Sequence, residues 1–574
     1  MRYLKISKPE KLSFFDASFA LWFGLLFWTY SFSLPQAFDD WKSLLFYAGC
    51  ATLALFANPP RLSKDHYNWV FISVASYLLY ALIRVLIYRD FYFEGFLWFA
   101  KLALWTIFTR ILIHLPQNKL IFLIELFVAN AIGVAVITSL RLAHIHVFPQ
   151  MGELFVAPIG HITFFSDVMA VASIFALFLG VRSGNQFKVH IFRFGSLLIF
   201  FALWTSGGRA SLLTYFVALT IFFFFAHTKK LLSLITMAKY GLGVLLIILF
   251  SVIFKASIRP ETTLTRIGEV RLQKKATERG YSFNGTTGRS ILYERSLKMS
   301  LEKPLWGWGL GTFQYFYPKF KKEIRPELDD MFTSNQWLDH PHSEILHQSA
   351  ELGVVGLFLF ISVVLAIALH ARINLKLPPS DSQLITLCGL SVVIAITLVS
   401  WQLSTNFIHA ISRLALSIGA AMALSNREHL GQNSPIFHDR LSLQNSIAAG
   451  SLLFLVSHYA SLSLITLSER SSEYEQKWSF AKKGLLLAPE SFEALYIVST
   501  LELRNHQVDT GSQLKLFQKY SEVPVVIFER AINHLEKNEL SNAKASLRRA
   551  LLYDKNYAEA RDLLDNLNAS TKVK

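Results

Sequence analysis

The sequence predicts an all-α fold, a polytopic membrane helix bundle with about thirteen spans, one large loop and a small C-terminal helical-repeat module. Three observations support this. Hydrophobic residues make up 53% of the 574 positions and include 49 Phe, more than the core of a soluble domain holds. Apolar runs near the roughly 20 residues that a spanning helix needs cover most of positions 16–467. Beyond position 467 the sequence becomes charged and typical of helices.

The spans follow from the apolar runs in chain order. They are predicted at 16–34, 43–58, 68–87, 95–114, 119–140, 162–181, 189–205, 209–226, 237–255, 343–370, 383–401, 407–424 and 446–467. The first run follows basic residues, as in a signal peptide, but it is longer than usual and no A-x-A site follows it, so we expect it to remain as a span. The predicted regions are an N-terminal bundle at 1–255, a large loop at 256–341, further spans at 342–467 and helical repeats at 468–574.

Basic residues near the span ends predict the orientation, because positively charged flanks stay in the cytoplasm. With the N-terminus inside, the cytoplasmic stretches hold about eighteen Lys and Arg and the short outer stretches about six. An odd number of spans then places the C-terminal repeats outside. The net charge of +16 is distributed between apolar runs, which argues against a nucleic-acid-binding surface. Cys50 and Cys388 lie within apolar segments and are expected to be packing residues.

Two segments outside the membrane are expected to fold. The loop at 256–341 carries fourteen Lys and Arg against ten Asp and Glu, and its second half is rich in aromatic residues and glycine. In the C-terminal region, KKGLLLAPESFEA from Lys482 and RRALLYDKNYAEA from Arg548 superpose at an offset of 66. This offset is about two periods of a 34-residue helical hairpin, and the pattern resembles tetratricopeptide repeats. Such a module binds or positions a partner, or simply extends the structure.

The strongest motifs run from Gly288 to Gly356. They read GRSILYERSLKMSLEKPLWGWGLGTFQYF and, after a polar gap, HPHSEILHQSAELGVVGLFLF. Their order resembles the signature region of the superfamily of O-antigen ligases, O-antigen polymerases and protein O-oligosaccharyltransferases. The resemblance implies a multi-pass enzyme of the bacterial inner membrane. It would transfer a glycan from undecaprenyl (polyprenyl) diphosphate to an acceptor on the periplasmic face, with inversion and without a metal or other cofactor.

The resemblance implies that two arginines are catalytic. Arg289 matches the family's arginine at the head of the loop helix, and Arg209 in SGGRASLL matches a second motif, S-x-S-R. The second match departs from the family at Gly208, where Ser is usual. Guanidinium groups bind phosphate in a bidentate manner and stabilise a diphosphate leaving group. Without the resemblance, the preferred interpretation of Arg209 is a residue that anchors a helix end at the lipid headgroups.

The acceptor hydroxyl needs a base, and His is suited to this near neutral pH. His342 matches the family's essential histidine, while His340 and His347 are nearby alternatives. Ser343 stands where Asn is common. Glu351 is expected to tune the site or to pair near the interface. Together with His161, Asp167 and His340, it is predicted to bind substrate. A metal site read from HPHSEILH is disfavoured, because the motif of two zinc-binding histidines needs them four residues apart on one helix face and His342 and His347 are five apart.

Polar residues inside apolar segments complete the predicted site. His161 and Asp167, on the outer half of the sixth span, are expected to line a donor cavity, or to bond to each other across helices. The sequence does not distinguish between a lipid A core sugar, a protein and another glycan as the acceptor. The C-terminal repeats are a candidate site for a protein partner. The alternatives are a polymerase of the same superfamily, a transporter of the lipid-linked glycan and a membrane scaffold.

Overall fold

The fold is a bundle of long apolar helices with a second group of shorter helices at one end. The computed structural model describes residues 14–29, 39–56, 68–142, 155–156, 159–253, 286–321, 340–376, 380–403, 409–424, 443–554 and 557–572. Of the predicted loop at 256–341, the structure therefore describes residues 286–321 and 340–341. The remainder of that loop lies outside the described residues.

The first half of the chain forms nine helices among the described residues. They are α1 (Phe14–Trp28), α2 (Asp39–Phe56), α3 (Asn68–Ile87), α4 (Tyr92–Ile113), α5 (Gln117–Leu142), α6 (Ile162–Arg182), α7 (Gln186–Ser206), α8 (Arg209–Thr228) and α9 (Leu234–Ile253). A 3₁₀ turn at Arg89–Phe91 precedes α4. Two short antiparallel strands, β1 (Phe155–Val156) and β2 (Gly160–His161), precede α6.

The second half contains the loop helices, the remaining spans and the C-terminal helices. They are α10 (Thr286–Glu302), α11 (Phe313–Lys321), α12 (Glu344–Asn374), α13 (Asp381–Ala395), α14 (Trp401–Leu403), α15 (Ala410–Leu424), α16 (Leu443–Arg470), α17 (Tyr474–Leu487), α18 (Phe492–Arg504), α19 (Gly511–Lys519), α20 (Pro524–Glu536), α21 (Leu540–Tyr553) and α22 (Ala558–Lys572). A π-helical turn at Ile396–Ser400 joins α13 to α14.

Ten helical stretches among the described residues are long and apolar enough to cross a membrane, which confirms the predicted polytopic helix bundle. The three other predicted spans are also helical, but they are shorter or more polar. Helices α1 and α15 have 15 residues each, and α2 carries Asp39, Asp40 and Lys42 in its first turn. Lys42 is buried and donates to the carbonyl oxygens of Leu26 at 2.6 Å and Phe27 at 3.2 Å. This lysine caps the C-terminal end of α1.

Helices α6 and α13 lie at the centre of the bundle, where nearly all of their residues are buried, whereas α9 is the most exposed span. Cys50 and Cys388 are buried free thiols, as expected for packing residues. We call the end of the bundle that carries α10 and α11 the loop end. Helices α4, α8 and α12 all begin at this end, so their N-terminal turns face the loop.

A tight glycine turn at 303–312 joins α10 to α11 and packs against α12. Gly307, Gly309 and Gly311 have φ angles of +67°, +111° and +75°, which only glycine adopts readily. The backbone N–H groups of Trp308 and Gly309 donate to the carbonyl oxygens of Ala350 and Glu351 at 2.9 Å each. Helix α12 is kinked beside the turn, at Gly353, where φ is +69°. The turn and the kink therefore form one interlocked unit.

The C-terminal helices pack on the loop end of the bundle through α18 and α19. Lys519 forms a buried ion pair with Glu94 of α4 at 3.1 Å, and the Tyr520 hydroxyl also donates to Glu94. The ring of Tyr520 packs against Tyr315 of α11 at a centroid distance of 4.9 Å and against Phe91 at 5.7 Å. A buried ion pair within an aromatic cluster holds the two parts in a specific orientation.

Candidate active site

His342 lies at the loop end, two residues before α12 begins, and is partly exposed. Its φ angle is +55°, a left-handed conformation that is uncommon for residues other than glycine. The backbone N–H of His342 donates to Nδ1 of His340 at 2.9 Å, and its carbonyl oxygen accepts from the Tyr293 hydroxyl at 3.2 Å. Unfavourable backbone conformations held by such contacts are concentrated at active sites.

The ring of His340 is fixed by hydrogen bonds on both sides. Because Nδ1 accepts from a backbone N–H, the ring proton of neutral His340 is on Nε2, which donates to Glu344 Oε2 at 2.9 Å. The other carboxylate oxygen of Glu344 accepts from Gln348 at 2.6 Å. His340 and Glu344 are fully buried. His340 therefore supports the backbone of His342.

His347 continues this buried network along α12. Its Nδ1 is 3.7 Å from Oε2 of Glu344, and its Nε2 is 3.3 Å from Oε1 of Glu351. The potential metal-ligating atoms of His340, Glu344 and His347 all lie within 4.8 Å of one another. The five-residue spacing of His342 and His347 disfavours a metal site, but the fold brings a different pair, His340 and His347, together beside Glu344. Both carboxylate oxygens of Glu344 already accept hydrogen bonds, from His340 and from Gln348, whereas His347 lies only within ion-pair distance of Glu344 and Glu351.

Glu351 connects α12 to the glycine turn. Its Oε2 accepts from the N–H of Gly311 at 2.8 Å, and its Oε1 accepts from the N–H of Phe313 at 2.9 Å. A buried carboxylate that accepts two backbone hydrogen bonds holds the turn in place. Both oxygens that a substrate would contact are thus occupied, and the predicted substrate-binding role of Glu351 stays a prediction.

Helix α10 carries Arg289 and Tyr293 one turn apart. The Tyr293 hydroxyl lies 3.2 Å from the carbonyl oxygen of His342 and 3.0 Å from that of Gln402. Residues four apart lie on the same side of a helix. The backbone position of Arg289 is therefore on the side of α10 that contacts the His342 segment. The side chain of Arg289 lies outside the described part of the structure.

Gln402 ties the end of the π-helical segment to the start of α12. Its Oε1 accepts from Ser343 Oγ at 3.0 Å and from the N–H of Ile345 at 3.3 Å. Its Nε2 donates to the carbonyl oxygen of Thr397 at 3.1 Å. Ser343, which departs from the family pattern, also caps α12 by accepting from the N–H of Leu346. Gln402 and Ser343 together fix the helix that follows His342.

Asp167 links the same π-helical segment to α8. This buried carboxylate accepts from Ser211 and, at 2.6 Å, from Ser400 Oγ. The two serines donate to different oxygens of the carboxylate, and the predicted bond from His161 to Asp167 stays a prediction. His161 pairs with Phe155 in the two-stranded sheet just before α6, and its side chain lies outside the described residues.

Arg209 is the first residue of α8, at the loop end, and is exposed. Ser211, two residues later, bonds to Asp167. The structure also accounts for the departure at Gly208, because a Cβ atom there would overlap the side chain of Ser166. Close packing of α6 against the start of α8 thus requires glycine at this position.

Hydrogen bonds consequently connect α8, the π-helical turn and the His342 segment, and Tyr293 connects that segment to α10. Residues 194–361 match the family model of the O-antigen ligases. The O-antigen ligase match begins within α7 and ends within α12, so it includes Arg209, Arg289, His340, His342 and Glu351. It covers less than a third of the chain, and Asp167 and Gln402 lie outside it. No curated protein matches the sequence.

The O-antigen ligase motifs pointed to the arginines and to His342, while the supporting residues needed the structure. Tyr293 and Gln348 carry no motif signal that distinguishes them from packing residues, and Glu344 was notable only as part of HPHSEILH, the segment considered for a metal. Gln402 was visible only as a polar residue at the edge of an apolar segment. One signal was available for Tyr293, because it stands one helical turn after Arg289 and would share its side of the helix.

Proposed function

We propose that the chain is a membrane glycosyltransferase of the O-antigen ligase or protein O-oligosaccharyltransferase type. It transfers a glycan from a polyprenyl diphosphate donor to an acceptor hydroxyl at the loop end, which is the periplasmic face of the inner membrane. The observation that carries the proposal is the contact of α10, the helix of Arg289, with the strained backbone of His342 through Tyr293. The O-antigen ligase match supports the same class of reaction.

The proposed reaction is a single displacement at the anomeric carbon of the donor. His342 accepts the proton of the acceptor hydroxyl, whose oxygen forms the new glycosidic bond as the bond from the sugar to the diphosphate breaks. Arg289 and Arg209 stabilise the charge that develops on the departing polyprenyl diphosphate. The anomeric configuration inverts, and no electrons are exchanged with a cofactor. Metal independence is part of this proposal.

The C-terminal helices offer a cleft for an acceptor. A cleft of about 400 Å³ between α19, α20 and α21 is lined by Phe517, Val526, Arg530, His534 and Arg549. Lys519, at the end of α19, and the adjacent Tyr520 contact α4 and α11 at the loop end. The arrangement favours a large acceptor, a protein or glycan chain, over a lipid A core sugar. A tetratricopeptide-like role in holding such an acceptor is part of the proposal.

A deletion strain complemented with single variants tests the function. We expect His342→Ala, Arg289→Ala and Arg209→Ala to abolish transfer while the protein reaches the membrane at normal levels. His190→Ala is the matched control, because His190 is exposed on α7 near the opposite end of the bundle. Missing lipopolysaccharide side chains identify a ligase, and an unglycosylated protein identifies an oligosaccharyltransferase.

The same strains separate the alternatives. Short glycan chains would identify an O-antigen polymerase. If the chain is a transporter of the lipid-linked glycan, its inactivation confines the donor to the cytoplasmic leaflet. If it is a transferase, its inactivation makes the donor accumulate on the periplasmic face. Full glycan attachment in a variant that carries His342→Ala, Arg289→Ala and Arg209→Ala together would refute the proposed function.

A further inference from the structure

The span α16 continues into a hairpin whose second helix turns back toward the membrane. Helix α17 packs along α16, and three serines of α16 fix the register between them. Ser468 donates to the carbonyl oxygen of Lys477 at 2.8 Å, Ser461 to that of Gly484 at 2.8 Å, and Ser457 to that of Leu487 at 2.6 Å. The C-terminal end of α17 is therefore level with Ser457.

The opposite end of α16 gives the depth of that level in the bundle. Gln444 and Asn445 donate to the carbonyl oxygens of Ala54 and Leu55 at the end of α2. Ser457 is thirteen residues beyond Gln444, which corresponds to about 20 Å of helix. The apolar layer of a bilayer is about 30 Å thick. The end of α17 thus lies within the apolar layer or at its boundary on the loop side.

A second contact agrees with this depth. Phe93, in the first turn of α4, packs against Phe454 and His458 of α16 at centroid distances of 5.1 and 5.9 Å. The stretch that contains α4 and is long and apolar enough to cross a membrane starts at Arg89, so the first turn of α4 lies close to the loop-side end of that stretch. Leu487, which is level with Ser457, lies near that same end.

The exposed side of α17 changes in polarity along the helix in the direction of the membrane. Glu475 is exposed in the first turn, Lys482 and Lys483 are exposed near the end, and two leucines follow them. Leu486 is 82% exposed and Leu487 is 41% exposed. An acidic, then basic, then apolar order is expected for a helix that passes from water through the headgroups to the acyl chains.

We propose that this end of α17, comprising Lys482, Lys483, Leu486 and Leu487, inserts into the lipid leaflet on the loop side. The two leucines contact acyl chains, and the two lysines contact the anionic phosphates of the headgroups. Together with the Lys519–Glu94 ion pair, the insertion fixes the C-terminal helices relative to the membrane surface. This inference holds whichever reaction the chain catalyses.

Depth-dependent fluorescence quenching tests the insertion in the full chain. Because the native cysteines, Cys50 and Cys388, are buried, a cysteine introduced by Leu486→Cys can be labelled selectively with a fluorophore. The protein is placed in nanodiscs of phosphatidylcholine and phosphatidylglycerol. Quenching by doxyl groups on the acyl chains is compared with quenching by aqueous iodide. Leu552→Cys is the matched control, since Leu552 is 58% exposed on α21.

We expect several-fold stronger doxyl quenching and weaker iodide quenching at position 486 than at position 552. Ser479→Cys, two turns earlier on α17, should show intermediate values. Equal iodide quenching at 486 and 552, without doxyl quenching at 486, would overturn the proposal. If Leu486→Cys also exposes a native cysteine to the label, packing is lost and Leu487→Cys replaces it. Replacing both lysines by Glu should reduce doxyl quenching of a label at 487 when phosphatidylglycerol is present.

Discussion

The Tyr293 hydroxyl lies 3.2 Å from the carbonyl oxygen of His342, so the loop helix that bears Arg289 is bonded to the backbone of the candidate base. The phenol contacts main-chain oxygens and therefore acts on position, not on protonation. Its removal should change the geometry of the site without changing its charge.

Tyr293→Phe is expected to lower the rate of glycan transfer about 2- to 10-fold, the equivalent of one hydrogen bond. Membrane levels should not change, because the ring keeps its packing. Transfer in isolated membranes, with endogenous donor and acceptor, measures the effect. Tyr92→Phe, at the exposed start of α4, serves as the control. An unchanged rate in Tyr293→Phe would show that this bond does not position His342.

Gln402 is expected to tolerate Glu but not Leu. A Glu side chain keeps an oxygen that accepts from Ser343 Oγ and from the N–H of Ile345. A Leu side chain has no such oxygen, so the start of α12 loses both hydrogen bonds. Transfer should fall at least tenfold in Gln402→Leu and be largely retained in Gln402→Glu. Gln383, which bonds to Leu375 near the opposite end of α12, provides the comparison. Its change to Leu should lower thermal stability and leave the rate per folded molecule intact.

Gly307→Ala is expected to destabilise the protein by roughly 2–4 kcal/mol. The φ angle of +67° disfavours any side chain, and a Cβ would overlap the carbonyl of Glu351. Gly184→Ala is the control, because no atom lies within 4 Å of a Cβ there. Thermal unfolding in detergent measures the difference. Equal midpoints for the two variants would contradict the interlocking of the turn with α12.

Removal of divalent cations is expected to leave transfer unaffected, because Glu344 is hydrogen-bonded to His340 and Gln348. Transfer by the purified protein is measured before and after treatment with a chelator, alongside elemental analysis. The opposite outcome is a stoichiometric metal in the purified protein, with both the metal and the activity lost in Glu344→Gln. It would show that His340, Glu344 and His347 bind a metal.

The stability of α20 should decrease as pH rises from about 5 to 8. Burial raises the pKa of Glu529 to about 7, above its value of about 4.5 in an unfolded chain. The folded state therefore binds the proton more tightly, and deprotonation costs up to about 3 kcal/mol above pH 7. Hydrogen exchange of the full chain, corrected for intrinsic rates, measures this. Glu529→Gln should remove the pH dependence, and its persistence would exclude Glu529 as the cause.

The sequence predicted the helix bundle because membrane spans carry their own signal in length and hydropathy. It identified Arg289 and His342 because their motifs resemble those of a known superfamily. It could not predict that Asp167 bonds to Ser211 and Ser400, since three helices distant in sequence meet there. The π-helical turn was equally hidden, because apolar periodicity does not distinguish it from an α-helix.

The union of the glycine turn with the kink at Gly353 limits how this protein can be engineered or can diverge. Residues 304–313 and 350–354 are joined by backbone hydrogen bonds and pack against each other too closely to admit a Cβ atom at Gly307 or Gly353. Exchanging either stretch alone would therefore leave the other without a matching partner. Chimeras built to alter specificity should carry both stretches from one parent. Variation is more readily accepted at surfaces such as the exposed side of α21, where side chains do not meet this junction.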